Sequence, residues 1–561
     1  MTATLIQKLQ EIVGRRYLHI GDTSTRRFRK GYRYGDGQVL AAVEPGTLVE
    51  QWRVLEACVA ADVAIIFQAA NTGLTGGSTP FGDGYDRPIV IVSTLRNTRI
   101  DLIDHGRQIL SMPGATLDQL ERRLKPLGRE PHSVIGSSCI GASVTGGICN
   151  NSGGSLVQRG PAYTQLALFA QVDAEGKLHL VNHLGIRLGD NPEQMLARLD
   201  AGDYTEQDID FPQGAQASDI EYKEHVRDIS AKTPARFNAD PRRHYEASGS
   251  AGKIGVFALR LDTFATASEE KVFYIGTNDP AELQTIRRHV LANFQNLPIA
   301  GEYMHSDAFR AAQIWGKDLF LFIRTFGTLN VPRAFKAKSW FDGVTEKLGL
   351  GKSVSDNLLQ FFSRFLPEHM PARLVDYRNR YPHHLMIRAG DACITEMREY
   401  LASVFPSASG NFIECGDREG SAAFLNRFTV GSAVVRYRAV HRRTVEDIVA
   451  LDVALPRDTI DWFESLPAPI DKQIALKIYV GHFFCQVMHQ EYLVKKGTDC
   501  AALEHEICAL LDARGAEYPA EHNVGHLYDA KPALKDFYRS LDPTNSFNPG
   551  IGKTSKCRHW H

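Results

Sequence analysis

The sequence has neither an excess of charge of one sign nor a long apolar run. Its 561 residues include 64 Lys and Arg against 65 Asp and Glu, so the composition does not favour nucleic acid, and no such partner is expected. No stretch approaches the roughly 18 apolar residues that span a bilayer. Met1 to Arg16 is an amphipathic helical pattern without the apolar core of a secretion signal. We therefore expect a protein that is neither integral to a membrane nor exported by a cleaved signal.

Cysteine motifs and the common nucleotide-binding motifs are also missing. The nine cysteines include no Cys-x-x-Cys pair, which argues against a disulfide framework, a zinc ribbon or an iron–sulfur cluster and favours a reducing compartment. No Gly-x-Gly-x-x-Gly motif links a strand to a helix. Gly550-Ile-Gly-Lys-Thr is close to a P-loop, but Phe547 stands where the first glycine would be. A nucleotide cofactor would need another kind of loop.

Two loops of small residues are the most unusual feature that is present. Eleven of the nineteen residues from Gly136 to Gly154 are Gly, Ala or Ser, and a second such loop, Gln68 to Pro80, follows a predicted strand directly. Small residues let the backbone approach an anionic ligand, and hydroxyls add hydrogen-bond donors. We interpret the loops as two walls of a cofactor site, with a diphosphate at the 68–80 loop. The alternative, a flexible linker, conflicts with the apolar residues recurring in 132–154.

Strand and helix patterns alternate through the first half of the chain. Thr47 with Glu50 and Thr116 with Gln119 predict capped helix starts. The segment 191–230 is polar and acidic, which favours an exposed insertion. A further helix is predicted at 284–293. The predicted strands are 38–43, 63–67, 89–93, 100–103, 109–112, 166–172, 178–181 and 251–261.

The C-terminal third holds a group of candidate metal ligands. His482 and His489 are seven residues apart among apolar residues, and Glu521-His522-Asn-Val-Gly-His526 supplies a carboxylate and two more imidazoles. Two histidines and one glutamate can bind a divalent metal. Histidines in apolar segments also serve as hydrogen-bonded core residues, so spacing leaves both interpretations open.

The segment 305–380 combines basic and aromatic residues. It holds twelve Lys or Arg against seven Asp or Glu. Cations interleaved with aromatic side chains are typical of a surface that binds anionic lipid, although basic runs are often merely solvated. Aromatic residues interleaved with these charges include Trp315, Phe320, Phe322, Phe326, Phe335, Trp340, Phe361, Phe362 and Phe365.

Four stretches carry a resemblance to a known family. They are 125–143, 150–163, 519–528 (Pro-Ala-Glu-His-Asn-Val-Gly-His-Leu-Tyr) and 542–555. Together with the two small-residue loops, they resemble the vanillyl-alcohol oxidase and p-cresol methylhydroxylase (PCMH) family of FAD enzymes. The resemblance is strongest to the bacterial respiratory branch that oxidises D-lactate, and it covers essentially the full length.

The resemblance implies an α+β fold with three parts. A PCMH-type FAD-binding domain of two subdomains would comprise residues 1–262, with its core at about 36–207, and would be completed by 515–561. Residues 263–304 and 381–514 would form an α+β cap domain that contacts the substrate. Residues 305–380 would be a membrane-binding insertion in the cap.

The resemblance also implies FAD as the cofactor. The positions that match the family's FAD contacts are Ala69, Ala70, Asn71, Thr72, Gly73, Gly77, Ser78, Gly136, Ser143, Gly153 and Val256. The residues from Ala69 to Gly73 would hold the diphosphate, and Gly136 to Gly153 would follow the other side of the cofactor.

The implied reaction is FAD-dependent oxidation of D-lactate to pyruvate, with a membrane quinone as electron acceptor. By comparison with FAD-linked D-2-hydroxyacid dehydrogenases, His482, His489 and Glu521 would bind a divalent metal and His522 would be the base. This chain departs from that pattern in the six residues between the two histidines and in Asn523, which stands in place of Gly. These departures weaken the expectation of a metal, but not the expectation that the histidines belong to the site. Arg427 is the candidate for the substrate carboxylate, with a structural role as the alternative.

Partners and location follow from the same resemblance. We expect a peripheral respiratory enzyme on an anionic phospholipid surface, at the cytoplasmic face of the inner membrane. Two alternatives stay open. One is a soluble FAD dehydrogenase of another D-2-hydroxy acid such as 2-hydroxyglutarate, and the other is a flavin electron carrier without catalysis.

Overall fold

The computed structural model describes residues 2–133, 141–211, 213–348 and 354–561. Helices and strands are mixed along these ranges. Most strands belong to sheets of four, five and seven strands. The two smaller sheets come mainly from the first half of the chain and the largest from the second half, so the small-residue loops and the histidine segments belong to different sheets.

The four-stranded sheet has its three longer strands parallel, in positions 41–43, 64–68 and 89–93. These strands consist mostly of Ala, Val and Ile, and nearly all their side chains are buried, as in parallel sheets covered on both faces. The predicted cap is confirmed, because Thr47 Oγ1 accepts from Glu50 N at 3.0 Å. The elements are α1 (Thr2–Val13), β1 (Leu18–His19), α2 (Asp22–Arg29), β2 (Ala41–Val43), α3 (Leu48–Ala60), β3 (Ala64–Gln68) and β4 (Ile89–Ser93).

The five-stranded sheet is antiparallel. Thr116 and Gln119 form the predicted capping box at the start of the helix Leu117–Leu124, which follows the second strand of this sheet in the chain. A small two-stranded sheet lies beside it. The elements are β5 (Ile100–Ile103), β6 (Gln108–Ser111), α4 (Leu117–Leu124), β7 (Arg129–Glu130), α5 (Val144–Cys149), β8 (Ala167–Val172), β9 (Leu178–Asn182), α6 (Pro192–Ala201), α7 (Tyr222–Arg227), β10 (Gly255–Asp262) and β11 (Phe264–Ala265).

The expectation of an exposed insertion at 191–230 is wrong for its two helices. Leu196 and Leu199 of α6 are fully buried in the core that also contains α3. Tyr222 and Val226 of α7 are buried in the core of the large sheet. These pairs are spaced i, i+3 and i, i+4, so each short helix buries one face although its overall composition is polar.

The seven-stranded sheet is antiparallel throughout. Its strands, whose bounds are given in the next sentence, lie side by side in the order β15-β12-β14-β13-β17-β18-β16. The elements are β12 (Glu270–Thr277), α8 (Pro280–Asn293), β13 (Ala300–His305), α9 (Ser306–Trp315), α10 (Lys317–Phe326), α11 (Val331–Lys347), α12 (Val354–Ser363), α13 (Ala372–Arg380), β14 (His383–Gly390), α14 (Ala392–Val404), β15 (Gly410–Glu414), α15 (Asp417–Val440), β16 (Val445–Ala454), α16 (Ala468–Asp471), β17 (Ile474–His482), β18 (Val487–Lys495), α17 (Cys500–Ala513) and α18 (Pro532–Leu541).

The two faces of this sheet differ in character. One face packs against α8, α14 and α17 in a large apolar core. On the second face, Met304, Ile478 and Leu493 pack against α9, α13 and α15. Alternation along the strands places Glu302 on the same face as Met304, and His482 on the same face as Ile478. The second face is therefore apolar under the helices and polar at one end.

The C-terminal segment returns to the first sheet. Ile65 N donates to Ser546 O at 2.9 Å, and Asn548 N donates to Ile65 O at 2.7 Å, so residues 546–548 lie alongside β3. Upstream, Thr75 Oγ1 donates to Asn523 O at 2.8 Å. The 519–528 stretch is thereby held against the loop that follows β3.

Helices α10 and α11 and the turn after α12 present large apolar side chains to solvent. Phe326, Trp340 and Phe365 are 60%, 71% and 75% exposed. Such a cluster of exposed aromatic residues is typical of an interaction surface. In the ranges given above, no helix combines the length and apolar character needed to cross a bilayer.

Candidate active site

A large cleft lies between the small-residue loops and the seven-stranded sheet. Its volume is about 1250 Å³. One wall consists of the loop after β3, the segment around α5 and the start of β10; the other consists of the second face of the sheet, α15 and residues 521–528. The cleft therefore brings together segments that are more than 300 residues apart in the chain.

The predicted FAD contacts lie along this cleft. Gly136 falls outside the described residues. That the other ten residues contact FAD stays a prediction, and their common position along one cleft agrees with it. The lining residues are Ala69, Ala70, Asn71, Thr72, Gly73, Gly77, Ser78, Ser143, Gly153 and Val256.

The glycines in this set have two different structural reasons. A Cβ on Gly73 would meet no atom within 4 Å, so Gly73 borders open space. A Cβ on Gly77 would lie 2.6 Å from Asn523 Nδ2, and one on Gly153 would lie 2.5 Å from Glu521 Oε1. Gly77 and Gly153 thus admit the C-terminal segment to the cleft.

The loop after β3 is tied together by its own side chains. Gln68 Nε2 donates to Ser78 O at 2.8 Å, Ser78 Oγ donates to Asn71 Oδ1 at 3.1 Å, and Asn71 Nδ2 donates to Lys30 O at 2.9 Å. Asn71 has a φ of 52°, in the left-handed region that Asn tolerates better than most residues. The loop is therefore held in one shape before any ligand binds.

Two histidines and a glutamate meet on the opposite wall. His482 ends β17 and His489 lies on β18, paired with Val480 in the register of the two strands. Their Nε2 atoms lie 3.2 and 3.8 Å from the same oxygen, Glu521 Oε2. The three predicted metal ligands are thus brought together, with their ligand atoms within 4.8 Å of one another.

Two further carboxylates orient the histidine rings. Glu302 on β13 pairs with His482 across the strands, and its Oε1 lies 2.5 Å from His482 Nδ1. Asp452 on β16 pairs with His489 in the same way, with Oδ1 3.3 Å from Nδ1. Each Nδ1 faces a carboxylate, and so both Nε2 atoms point to Glu521. Histidines that bind metals are commonly oriented in this way.

Two arginines complete the charged network. Arg236, nearly fully buried, donates to Glu521 Oε1 and to Gly154 O. Arg427 Nε lies 2.9 Å from Glu302 Oε2. A continuous series of opposite charges therefore runs from Arg236 through Glu521, His482 and Glu302 to Arg427.

This network shifts the pKa values of its members. Burial alone would raise the pKa of Glu521, but Arg236 and His482 outweigh it and hold that pKa well below the usual range. Burial alone would lower the pKa of His482, but Glu302 and Glu521 outweigh it and raise the value to about 10. Without another cation between them, His482 and Glu521 thus form an ion pair.

His522 and Arg427, the two predicted catalytic residues, line the same cleft. The His522 side chain is 37% exposed, and its Nε2 lies 3.9 Å from Asp452 Oδ2. By contrast, His526 is buried and its Nε2 lies 2.7 Å from Thr79 O, which gives it a structural role. Of the three titratable residues in the motif, Glu521 and His522 thus line the cleft and His526 anchors the loop.

Sequence reasoning missed four charged residues of the site. Glu491, two residues beyond His489 on β18, lines the cleft, and its Oε2 is buried without a hydrogen-bond partner in the described chain. Burial raises the pKa of Glu491 to about 7 against the opposing effect of Arg33 and Arg427. Alternation along β18 could have identified this residue. Glu302, Asp452 and Arg236 carried no local signal, because each meets its partner only across strands or segments.

Two family models match the chain. One for a "FAD binding domain" matches residues 39–182, and one for "D-lactate dehydrogenase, membrane binding" matches residues 272–560. The second match covers more than half of the chain. It begins at β12 and includes the histidines of the cleft.

Curated relatives match over nearly the full length. Quinone-dependent D-lactate dehydrogenase of Haemophilus influenzae is 56% identical, covering 99% of this chain and 99% of that protein. The Escherichia coli K12 enzyme of the same name is 54% identical, covering 99% and 97%. The enzyme of that name from Corynebacterium glutamicum is 46% identical, also covering 99% and 97%.

Solved structures with low identity share the fold. p-Cresol methylhydroxylase with substrate bound has a TM-score of 0.57 at 12% identity, covering 98% of this chain and 96% of that chain. Alkyldihydroxyacetonephosphate synthase has a TM-score of 0.58 at 10% identity, covering 98% and 84%. The predicted α+β fold of PCMH type is confirmed by these likenesses.

Proposed function

Because this chain belongs to the family of quinone-dependent D-lactate dehydrogenases, we propose that it oxidises D-lactate to pyruvate with FAD and passes the electrons to a membrane quinone. The observation that carries the proposal is the cleft, which places small-residue loops opposite a cluster of histidines and carboxylates. FAD, when bound along those loops, supplies the acceptor for the hydrogen at C2. The residues of the opposite wall bind and deprotonate the substrate.

Arg427 is the cation proposed to bind the substrate carboxylate. Its Nε is engaged by Glu302, which orients the guanidinium while the terminal N–H groups can donate to a carboxylate in the cleft. The pair with Glu302 also accounts for the structural role considered from the sequence. Both roles are therefore served by the same side chain.

His522 is the proposed base. An imidazole accepts a proton near neutral pH, and partial exposure in the cleft allows contact with the C2 hydroxyl. The Asp452 carboxylate lies 3.9 Å from Nε2 of this ring. The same carboxylate stabilises the imidazolium that forms.

The residues His482, His489 and Glu521 fit a divalent cation. Two Nε2 atoms and a carboxylate oxygen converge, and the Nδ1 atoms are held by Glu302 and Asp452. A cation there would polarise the substrate hydroxyl and lower its pKa. Its positive charge would also replace the proton that otherwise makes His482 a cation.

Anaerobic titration of the purified holoenzyme tests the function. D-lactate is expected to bleach the flavin absorbance fully, because the cleft offers both a base and a cation for this substrate. L-lactate and D-2-hydroxyglutarate are the controls. Equal or faster bleaching by 2-hydroxyglutarate would assign a different substrate, and no bleaching by any of the three would indicate a flavin carrier without catalysis.

We further propose that the protein binds anionic phospholipid peripherally, at the cytoplasmic face of the inner membrane. Exposed Arg333 and Arg364 lie in or next to the helices that present Trp340 and Phe365 to solvent. Cations beside interfacial aromatic residues favour an anionic surface. The eight described cysteines are all free, which supports a reducing compartment.

Neutralising these two cations should weaken vesicle binding. Each Lys or Arg near an anionic surface contributes about 1 kcal/mol, so Arg333→Gln with Arg364→Gln is expected to lower partitioning onto phosphatidylglycerol vesicles about thirtyfold at low salt. Sedimentation of the vesicles with their bound protein measures this partitioning. The matched control is Lys8→Gln with Arg15→Gln, two exposed cations in and just after α1. Equal effects of both pairs, or binding that ignores salt and lipid charge, would contradict the proposal.

A further inference from the structure

The cleft is larger than a site for one ligand. Ligand sites commonly have volumes of about 300–1,000 Å³, whereas this cleft measures about 1250 Å³. D-lactate is small and polar and is served by the charged residues around His482. Beyond the cofactor loops and the charged cluster, the lining of the cleft continues to residues of α10, α11 and α15.

One end of this space is apolar. It includes residues of α10, α11 and the long helix α15. The side chains are neither those of the cofactor loops nor those of the charged cluster. They are Leu319, Val331, Phe335, Phe428 and Val430.

The apolar end lies at a defined distance from the charged cluster. Arg427 of α15 contacts Glu302 at the cluster. Nine residues later on the same helix, Arg436 binds Asp318 of α10 at 3.0 Å. At 1.5 Å per residue, these levels are about 13 Å apart along the helix. Leu319, the neighbour of Asp318, thus lines the cleft about two and a half helical turns beyond the substrate-binding residues.

The same helices face both the cleft and the exposed aromatic surface. On α11, Phe335 lines the cleft while Trp340, five residues later, is 71% exposed. On α10, Leu319 lines the cleft while Phe326 is exposed. A molecule dissolved in the lipid that meets these aromatic residues therefore contacts helices that also line the cleft.

We propose that the apolar end of the cleft, lined by Leu319, Val331, Phe335 and Phe428, is the binding site for the quinone ring and the first part of its isoprenoid tail. The inference rests on the proposed function, in which two electrons and two protons leave each D-lactate as it becomes pyruvate. They reduce one quinone to one quinol, and each quinone carbonyl oxygen gains a proton. D-lactate enters at the charged cluster, and quinone enters between the helices that meet the lipid.

Narrowing the apolar end should affect quinone alone. In the holoenzyme on anionic vesicles, Leu319→Trp is expected to raise the KM for decylubiquinone about tenfold or more, because added volume in a packed apolar site excludes the ring. With ferricyanide, a water-soluble acceptor, kcat and the KM for D-lactate should stay within about twofold, since the charged cluster is unchanged. Leu358→Trp is the matched control, because Leu358 is 43% exposed on α12 and is not among the residues lining the cleft.

Several outcomes would overturn the proposal. An unchanged KM for decylubiquinone would do so, and so would an equal shift in Leu358→Trp. If Leu319→Trp loses activity with both acceptors, photolabelling of the wild-type holoenzyme by an azido-quinone decides the question. Label on α10, α11 or residues 428–430 supports the site, and label elsewhere rejects it. Failure of wild-type D-lactate to reduce ferricyanide would reject the proposed function instead.

Discussion

Replacing His522 by Asn is expected to lower the rate of flavin reduction by D-lactate about 10²- to 10⁴-fold, the usual contribution of a general base. Asn preserves a polar side chain of similar size but cannot accept the hydroxyl proton. The KM for D-lactate should change little, because Arg427 and the cluster around Glu521 are intact. Anaerobic stopped-flow absorbance measures the first turnover without the quinone step.

A matched control separates base chemistry from general damage. His505 is exposed on α17, and His505→Asn should reduce the flavin at the wild-type rate. Flavin content and thermal stability of His522→Asn should equal those of the wild type, since the side chain is partly exposed. A first-turnover rate within about threefold of the wild type would reject His522 as the base.

Replacing Glu521 by Gln is expected to destabilise the holoenzyme by about 3–5 kcal/mol, because it leaves the buried Arg236 guanidinium without its counter-charge. The shift in the urea midpoint measures this loss. The control is Glu517→Gln, whose partner Lys531 is half-exposed, and about 0–1 kcal/mol is expected there. The double variant Arg236→Met with Glu521→Met should recover much of the stability, because it removes both buried charges together.

The same variant tests the proposed metal site and the pH dependence. Elemental analysis of the holoenzyme should find a divalent metal in the wild type and not in Glu521→Gln, and an equal content in both would reject Glu521 as a ligand. The pKa of Glu521 is depressed in the folded protein. Its contribution to stability is therefore present above the unfolded pKa of about 4.3 and is lost as pH falls below it. Glu521→Gln should lack this component of acid unfolding.

The local features of the fold could be predicted from sequence because their causes lie within a few residues. Thr47 and Thr116 each cap the helix that begins at the next residue, by accepting a hydrogen bond from the backbone N–H three residues later. The strands at 89–93 and 100–103 have the predicted bounds. The polar composition of 191–230 led to the wrong prediction of an exposed segment, because two apolar residues in each helix suffice to bury one face of α6 and of α7.

The types of residue in the site could be predicted from the sequence, but the contacts between them could not. The small-residue loops indicated a cofactor wall, and His482, His489, Glu521 and His522 were identified as candidates. Their partners were not, since Glu302 lies 180 residues from His482 in the chain, and Arg236 lies 285 residues from Glu521. Pairs at such separations leave no mark in one sequence.

The sequence by itself determined the elements, the absence of a Rossmann or P-loop site, the cofactor loops and the family resemblance, because each depends on residue identity and short spacing. Only the tertiary structure decided how these parts act together. Antiparallel register sets Glu302 beside His482 and Asp452 beside His489, and the return of the C-terminal segment brings Glu521 to both histidines. Charges become a site only when folding removes them from water and places them within a few ångströms, which makes each pKa depend on its neighbours.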